Sequence, residues 1–368
     1  MQKIKNQIMK LYLSSVTGNL SLTGAWVAIL AARGYSLAQI GLAETVFHIT
    51  SILLEIPSGV FADLFGRKKM LLVSGILRMA GNVVMILSRN LPMVCLALAL
   101  YAASYNFASG SNDALAYDSL KLAGKESDYE RYASNQLILY RLCSGLSTLC
   151  AGFALFIGHR AAYGADVVMC VLQIMLVLSL YEARVRDGED TDSERLPQSV
   201  KSRLVQCFLA SLSFLKKEKK ATVLMFCNSF VGAVDILLLF FLQAKLPAVG
   251  MPNRALGAAL FFMEMGGILG AKFILKWKAP KYRNVFVVAA ALVLLGVLFE
   301  HSGVCLLMTF GGFIAAFADD TLQTRTDVIL QDMFPSKQRA TLISIESFTF
   351  SIIMVVLSPL AGILFSWW

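Results

Sequence analysis

The sequence predicts an all-α polytopic membrane protein built as two helical bundles, and three observations carry that prediction. First, 57% of its 368 residues are hydrophobic, only 15% are charged, and mean hydropathy is +0.67. A soluble globular chain is about 45–50% apolar and about 25% charged. The apolar excess runs along almost the whole length, more than one soluble core can absorb. Second, the apolar residues fall into eleven stretches of roughly the ~20 residues that a helix needs to cross hydrocarbon. Third, Lys and Arg cluster on alternate connections between those stretches.

The predicted spans are 8–32, 37–62, 70–88, 91–115, 135–158, 161–180, 221–243, 256–275, 285–299, 304–324 and 342–367. Helices of this length satisfy their own backbone in lipid, and no short alternating pattern of a barrel is present. Placing the N-terminus in the cytoplasm puts 24 of the 33 Lys and Arg on inner segments and five on outer loops, a bias that repeats at every loop. The same clustering explains the net charge of +9 through topology, and no nucleic-acid partner is expected. Residues 1–10 are basic, but the apolar stretch that follows holds Asn19 and Thr23 and lacks a clear cleavage site. It is read as a retained first span.

Residues 184–220 divide the chain. They begin with a polar run, Arg184 to Arg195, and continue with Leu204, Val205, Phe208, Leu212 and Leu215 at helical spacing. That pattern predicts an amphipathic helix on the cytoplasmic membrane surface. The expected organisation is a six-helix bundle over 1–183, a cytoplasmic linker over 184–220, and a bundle of five visible helices over 221–368. An even layout expects a twelfth span beyond Trp368; a protein that works with eleven is the alternative.

Between the second and third spans stands Gly59-Val-Phe-Ala-Asp63-Leu-Phe-Gly66-Arg67-Lys68-Lys69. Gly59 and Gly66 permit close helix approach and a tight turn. Arg67 can pair bidentately with a carboxylate. The segment resembles the hallmark loop of the major facilitator superfamily, and Glu55-Ile-Pro57-Ser-Gly59 and Gly34 to Gly41 resemble its proton-driven drug-efflux branch. The resemblance implies the major facilitator fold. It also implies a conformational latch made by Gly59, Asp63, Gly66, Arg67 and Lys68, with Asp118 at the inner end of span four as the matching partner. The chain departs from the family pattern in three places. Asn106 stands where the family has an Arg, span five lacks a Gly-Pro pair, and the second-half loop after Gly270 has no matching Asp.

Ionisable groups inside spans cost about 2.5–3.5 kcal/mol each on insertion scales, so each is a functional candidate. Glu44, His48, Ser51 and Glu55 share one helical face of span two. Asp113 in span four and Arg141 in span five stand on neighbouring spans and could pair, and Asp113 is the first candidate for proton carriage. Asp235, Glu264, Asp319 with Asp320, and Glu346 are the second-half candidates. Arg78 is balanced between this role and snorkelling to the cytoplasm. His159 and His301 are expected to be exposed.

Seven cysteines include no C-x-x-C pair and read as small core residues. With three His, no paired ligands, no phosphate loop and no hydrolase elbow, neither metal, cofactor nor enzymatic activity is expected. The expected function is proton-coupled export of small hydrophobic compounds such as drugs by a monomer in the lipid bilayer of the cell membrane. Import of a sugar or other nutrient is the nearest alternative. A non-transporting sensor or scaffold on the same fold is a third.

Overall fold

The structure is a computed structural model that describes residues 2–183, 209, 213–214, 216–277, 280–333 and 339–367. Fourteen α-helices account for most of them: α1 (Gln2–Asn19), α2 (Trp26–Ala32), α3 (Leu37–Phe65), α4 (Arg67–Leu87), α5 (Leu91–Ala108), α6 (Ser111–Lys121), α7 (Tyr129–Leu149), α8 (Ala151–Ile157), α9 (His159–Leu178), α10 (Lys219–Ala248), α11 (Asn253–Lys276), α12 (Tyr282–Glu300), α13 (Cys305–Met333) and α14 (Arg339–Ser366). No strand occurs among the described residues. The predicted amphipathic linker helix lies outside them.

Local chemistry sets the helix boundaries. Ser36 and Gln39 form a reciprocal cap at the start of α3, with Gln39 N donating to Ser36 Oγ at 3.2 Å and Ser36 N donating to Gln39 Oε1 at 2.9 Å. Asn90 caps α5 through Met93 N at 3.2 Å, and Pro92 sits in the first turn, where a missing N–H costs nothing. The turn between α3 and α4 is a single residue, Gly66, at φ 101°, a conformation that side chains disfavour.

Among the described residues, nine helices are long and apolar enough to span a bilayer when α5 and α6 count as one, and ten when the bent α7–α8 pair is included. The described residues thus do not confirm the predicted count of eleven. The first predicted span divides into α1 and the seven-residue α2. Thr17 and Asn19 donate to carbonyls one turn back, Leu13 and Ser15, which offers the backbone an alternative to continuing the helix. The predicted fifth span bends by 48° between α7 and α8.

The chain forms two compact units. The first comprises 1–21, 50–146 and 163–210; the second comprises 22–49, 147–162 and 211–368. The units thus differ from a division at the linker, because α2, the first half of α3, and α8 pack with second-half helices. In the first unit, Leu11, Leu71, Leu115, Leu120, Tyr132 and Val177 make a buried core. In the second, Leu238, Phe241, Leu242, Leu246, Met263 and Met308 anchor a larger one, which also takes in Ala25, Ala28 and Ala151. Outward faces carry large apolar side chains such as Phe156 (84% exposed) and Leu306 (80% exposed), as lipid-facing surfaces should.

Helices α11 and α13 meet backbone to backbone. A Cβ on Gly266 would strike the carbonyl of Phe313, and one on Gly270 would strike that of Phe317. Small residues four apart permit such approach where lipid supplies no hydrophobic drive. By contrast, a Cβ on Gly164 in α9 would meet nothing within 4 Å. Gly270→Ala is therefore expected to cost about 1–3 kcal/mol through overpacking. In a thermal unfolding assay in detergent it should lower the midpoint, while Gly164→Ala should leave it unchanged or raise it.

Candidate functional site

The loop at the α3–α4 turn is held from three directions. Arg67 Nη2 donates to Asp63 Oδ1 at 2.8 Å within the loop. The backbone amides of Arg67 and Lys68 donate to the two oxygens of Glu182, at 2.8 and 3.0 Å. These are the first amides of α4, which have no partner inside the helix, and the helix end favours negative charge. Lys68 Nζ donates to the carbonyl of Leu178 at 2.9 Å, closing the C-terminal end of α9. Asp63 and Glu182 thus hold the loop, and Asp118, the partner expected from the sequence, sits half-buried on α6. Glu182 was missed: the first amides of α4 need partners, but sequence intervals do not say which group supplies them. The expectation of close packing at Gly59 is also corrected: a Cβ there would meet nothing within 4 Å.

The acidic face of α3 is engaged as its spacing predicts. His48 Nε2 lies 3.2 Å from Glu44 Oε1, and His48 Nδ1 lies 3.3 Å from Ser351 Oγ on α14. Both Glu44 and His48 are buried. Phe350 packs edge-on against the His48 ring at 5.6 Å. Further along α3, Ser51 Oγ accepts from Asn106 Nδ2 at 3.0 Å. Asn106 is buried, and its second amide hydrogen goes to the carbonyl of Ala102 at 2.8 Å. Glu55, one turn beyond, is half-buried.

Past Asn106 the helix breaks at Gly110, which takes φ 70°, and restarts as α6. Asp113 stands in the first turn of α6. The predicted Asp113–Arg141 pair does not form: among the described ion pairs none joins them, and both side chains are exposed. What assembles here instead is an amide–hydroxyl network. Asn112 donates to Tyr132 OH at 2.9 Å and to Ser15 Oγ at 3.3 Å. Gln136 donates to the same two oxygens at 2.6 and 2.8 Å. Asn135 donates to Tyr12 OH at 3.2 Å, and the Tyr12 and Tyr132 rings stack at 5.0 Å. The polar positions of spans four and five are legible in sequence; their convergence on Ser15 of α1 is not.

Two polar groups sit in the second unit. Asp235 on α10 is buried, with Oδ1 lacking a hydrogen-bond partner among the described residues. Asp319 and Asp320 stand on α13. Gly232, three residues before Asp235, makes room for Asp319, whose Oδ1 would lie 3.1 Å from a Cβ there. Gly267 on α11 makes room for the carboxylate of Asp320 in the same way. In the other group, Asn228 Nδ2 donates to Gln323 Oε1 and, at 3.1 Å, to Glu346 Oε1. Gln323 Nε2 donates to Asp327 Oδ1 at 2.9 Å. Glu264 is half-buried on α11. No group of His, Cys, Asp and Glu with metal-holding geometry occurs among the described residues.

Other buried charges escaped the sequence reading. Glu300 is 2% exposed at the end of α12, with Lys245 Nζ at 2.8 Å and His301 Nδ1 at 2.6 Å. His301 is thus held by a neighbour and not exposed as expected, because the end of α12 packs beside Lys245 and Phe365. Asp166 on α9 is also buried. The Tyr101 hydroxyl donates to Asn82 Oδ1 at 2.7 Å.

A family model described as Major Facilitator Superfamily matches residues 11–324. A 43-residue stretch is 44% identical to YxaM of Bacillus subtilis (strain 168), named as an uncharacterized MFS-type transporter; the match spans 12% of this chain and 11% of that protein. Among solved structures, the nucleoside transporter NupG is similar at TM-score 0.75 and 13% identity, covering 98% of this chain and 96% of that one. A peptide transporter, POT, gives 0.71 at 13% identity over 96% and 88% of the two chains. A D-xylose-proton symporter gives 0.67 at 14% identity over 97% and 88%.

Glu182→Gln should release the start of α4. Hydrogen bonds to a charged group are worth about 1.5–3 kcal/mol, so amide hydrogen exchange at Arg67 and Lys68 should quicken about tenfold or more. Exchange in the middle of α4 should stay unchanged.

Proposed function

The chain belongs to the Major Facilitator Superfamily, and on that premise we propose that it is an ion-coupled secondary transporter, moving a small molecule by alternating access with the proton as coupling ion. The observation that carries this reading is Asp235, a carboxyl group buried within a span, its Oδ1 lacking a hydrogen-bond partner among the described residues, one turn from the Gly232 site that Asp319 of α13 fills. Charge at such depth is costly, and neighbouring carboxylates repel. Binding and releasing a proton changes that charge reversibly, which is what coupling requires. Asp235 therefore replaces Asp113 as the first candidate, since Asp113 is exposed and lacks the pairing with Arg141 on which its ranking rested.

The chain is read with its N-terminus in the cytoplasm, from the Lys and Arg bias. Gly59, Asp63, Gly66, Arg67 and Lys68 then lie on the inner face as a proposed latch, with Asp118 as its expected partner and Glu182 as an added member. Export of small hydrophobic compounds rests on the resemblance of the α3–α4 segment to drug-efflux members. A second reading, uptake of a polar solute such as a sugar or other nutrient, is favoured by the amide–hydroxyl network around Ser15, Asn112, Tyr132 and Gln136. Such groups recognise hydroxyls and ring nitrogens better than apolar surfaces do.

Sealed vesicles with an imposed pH gradient test these readings together, using a panel of lipophilic compounds, sugars and nucleosides. At least one compound should move with the gradient in the wild type, and its direction decides between export and uptake. Asp235→Asn should abolish gradient-driven accumulation while leaving passive exchange. Movement in wild type that ignores the gradient would remove proton coupling, and ligand binding without movement would favour a sensor. Asp63→Asn should impair transport of the same compound by about tenfold with the protein still inserted. Full activity would count against the latch.

A further inference from the structure

Arg141 sets a positive charge inside a span and leaves it without a partner. It stands in α7, about 18 Å of helix from Tyr129 and about 12 Å from Leu149 at 1.5 Å per residue. Both distances exceed what an arginine side chain covers by snorkelling. The side chain is exposed. Among the described residues its guanidinium makes neither a salt bridge nor a hydrogen bond. A carboxyl group at such depth can shed its charge by binding a proton, but a guanidinium stays charged at every working pH. Titration therefore gives Arg141 no relief. It has to be met by water or by a negative group that is brought to it.

Helical spacing shows which side of α7 the charge occupies. Gln136 and Tyr140, Tyr140 and Ser144, and Arg141 and Ser144 are three or four residues apart, so the four adjoin on one side. Ile138, Leu142 and Leu146 adjoin on another side, all exposed, as a lipid-facing stripe should be. Arg141 thus belongs to the polar side, which starts at Gln136 in the amide–hydroxyl network with Ser15, Asn112 and Tyr132. Asp113, next to Asn112, has a reason of its own for its place: it lies in the first turn of α6, where the helix end favours negative charge. No helix end serves Arg141 in the same way, since the effect fades within one turn.

We infer that Arg141 anchors a negative group of the transported molecule, a carboxylate or a phosphate, and that the substrate is a small organic anion. The planar fork of the guanidinium matches either group with two parallel hydrogen bonds. Hydroxyls, amides or ring nitrogens in the rest of the molecule then meet the polar side of α7 at Tyr140 and Gln136. The inference rests on the transport reading. It narrows the polar-solute alternative to anions and disfavours neutral lipophilic compounds.

The test reads binding, not transport. The purified protein in detergent is titrated calorimetrically with matched pairs of compounds: gluconate and glucose, glycerol 3-phosphate and glycerol, uridine monophosphate and uridine. At least one anion should bind about tenfold or more tightly than its neutral partner, as charge-assisted hydrogen bonds allow. A preference confined to gluconate supports the anchor with a carboxylate, and one confined to the phosphates supports it with a phosphate. Arg141→Gln should remove the preference and leave the affinity for the neutral compound unchanged. Arg141→Lys, which keeps the charge without the fork, should retain part of it, and it stays informative if Arg141→Gln disrupts folding. Arg131→Gln, which removes an exposed arginine in the first turn of α7, should leave the preference intact. The inference is overturned if no anion outbinds its neutral partner in the wild type, or if folded Arg141→Gln or Arg141→Lys keeps the full wild-type preference. Anion binding that depends on Arg141, in a protein that moves none of these compounds in vesicles, would sustain the anchor and sink the transport reading. Movement of a neutral compound with no preference for its anion would do the reverse.

Discussion

A chain that crosses hydrocarbon must satisfy every backbone donor and acceptor within itself, and that constraint explains most of what this protein does with its sequence. Helices meet the constraint, and once formed they have little hydrophobic reason to associate, since lipid is as apolar as their own surfaces. Close approach must then come from small residues. The α11–α13 contact at Gly266 and Gly270, and the contacts of α3 with α14 and α8 with α11, are all glycine against carbonyl. Where helices end, the freed amides and carbonyls are taken up by specific side chains: Glu182 on α4, Lys68 on α9, and the Ser36–Gln39 pair on α3.

The same constraint gives the buried charges their meaning. Glu300 is answered by Lys245 and His301, and Glu44 by His48. Those groups are paired and hold helices in place. Asp235 differs: it is buried with Oδ1 lacking a hydrogen-bond partner among the described residues, and the proposed coupling rests on it for that reason. The distinction between answered and unanswered charge separates structural from functional candidates more sharply than burial alone.

Much of this was legible in the sequence. Composition and the spacing of apolar runs are one-dimensional properties, and they identified a helical membrane protein. The loop at Gly59–Lys69 pointed to the family because its glycines and charges keep fixed intervals along one turn. The shared face of Glu44, His48 and Ser51 followed from helical periodicity. Partnerships across the fold were not legible. Nothing in the intervals says that Glu182, 114 residues beyond Lys68, caps α4, or that Ser15 gathers Asn112 and Gln136. The break between α1 and α2 was hidden because hydropathy averages over a window, whereas Thr17 and Asn19 act locally on single carbonyls. The glycine contacts went unread because a glycine in an apolar run looks the same whether it faces lipid, like Gly164, or another backbone, like Gly257.

The central claim is that a proton on the buried carboxyl group of Asp235 is coupled to movement of a small molecule. Proton flux measured with a pH-sensitive dye in sealed vesicles, on addition of a transported compound and with no imposed gradient, tests it directly. The account predicts flux with the wild type that Asp235→Asn abolishes. Movement of the compound by the wild type with no accompanying proton flux would contradict it.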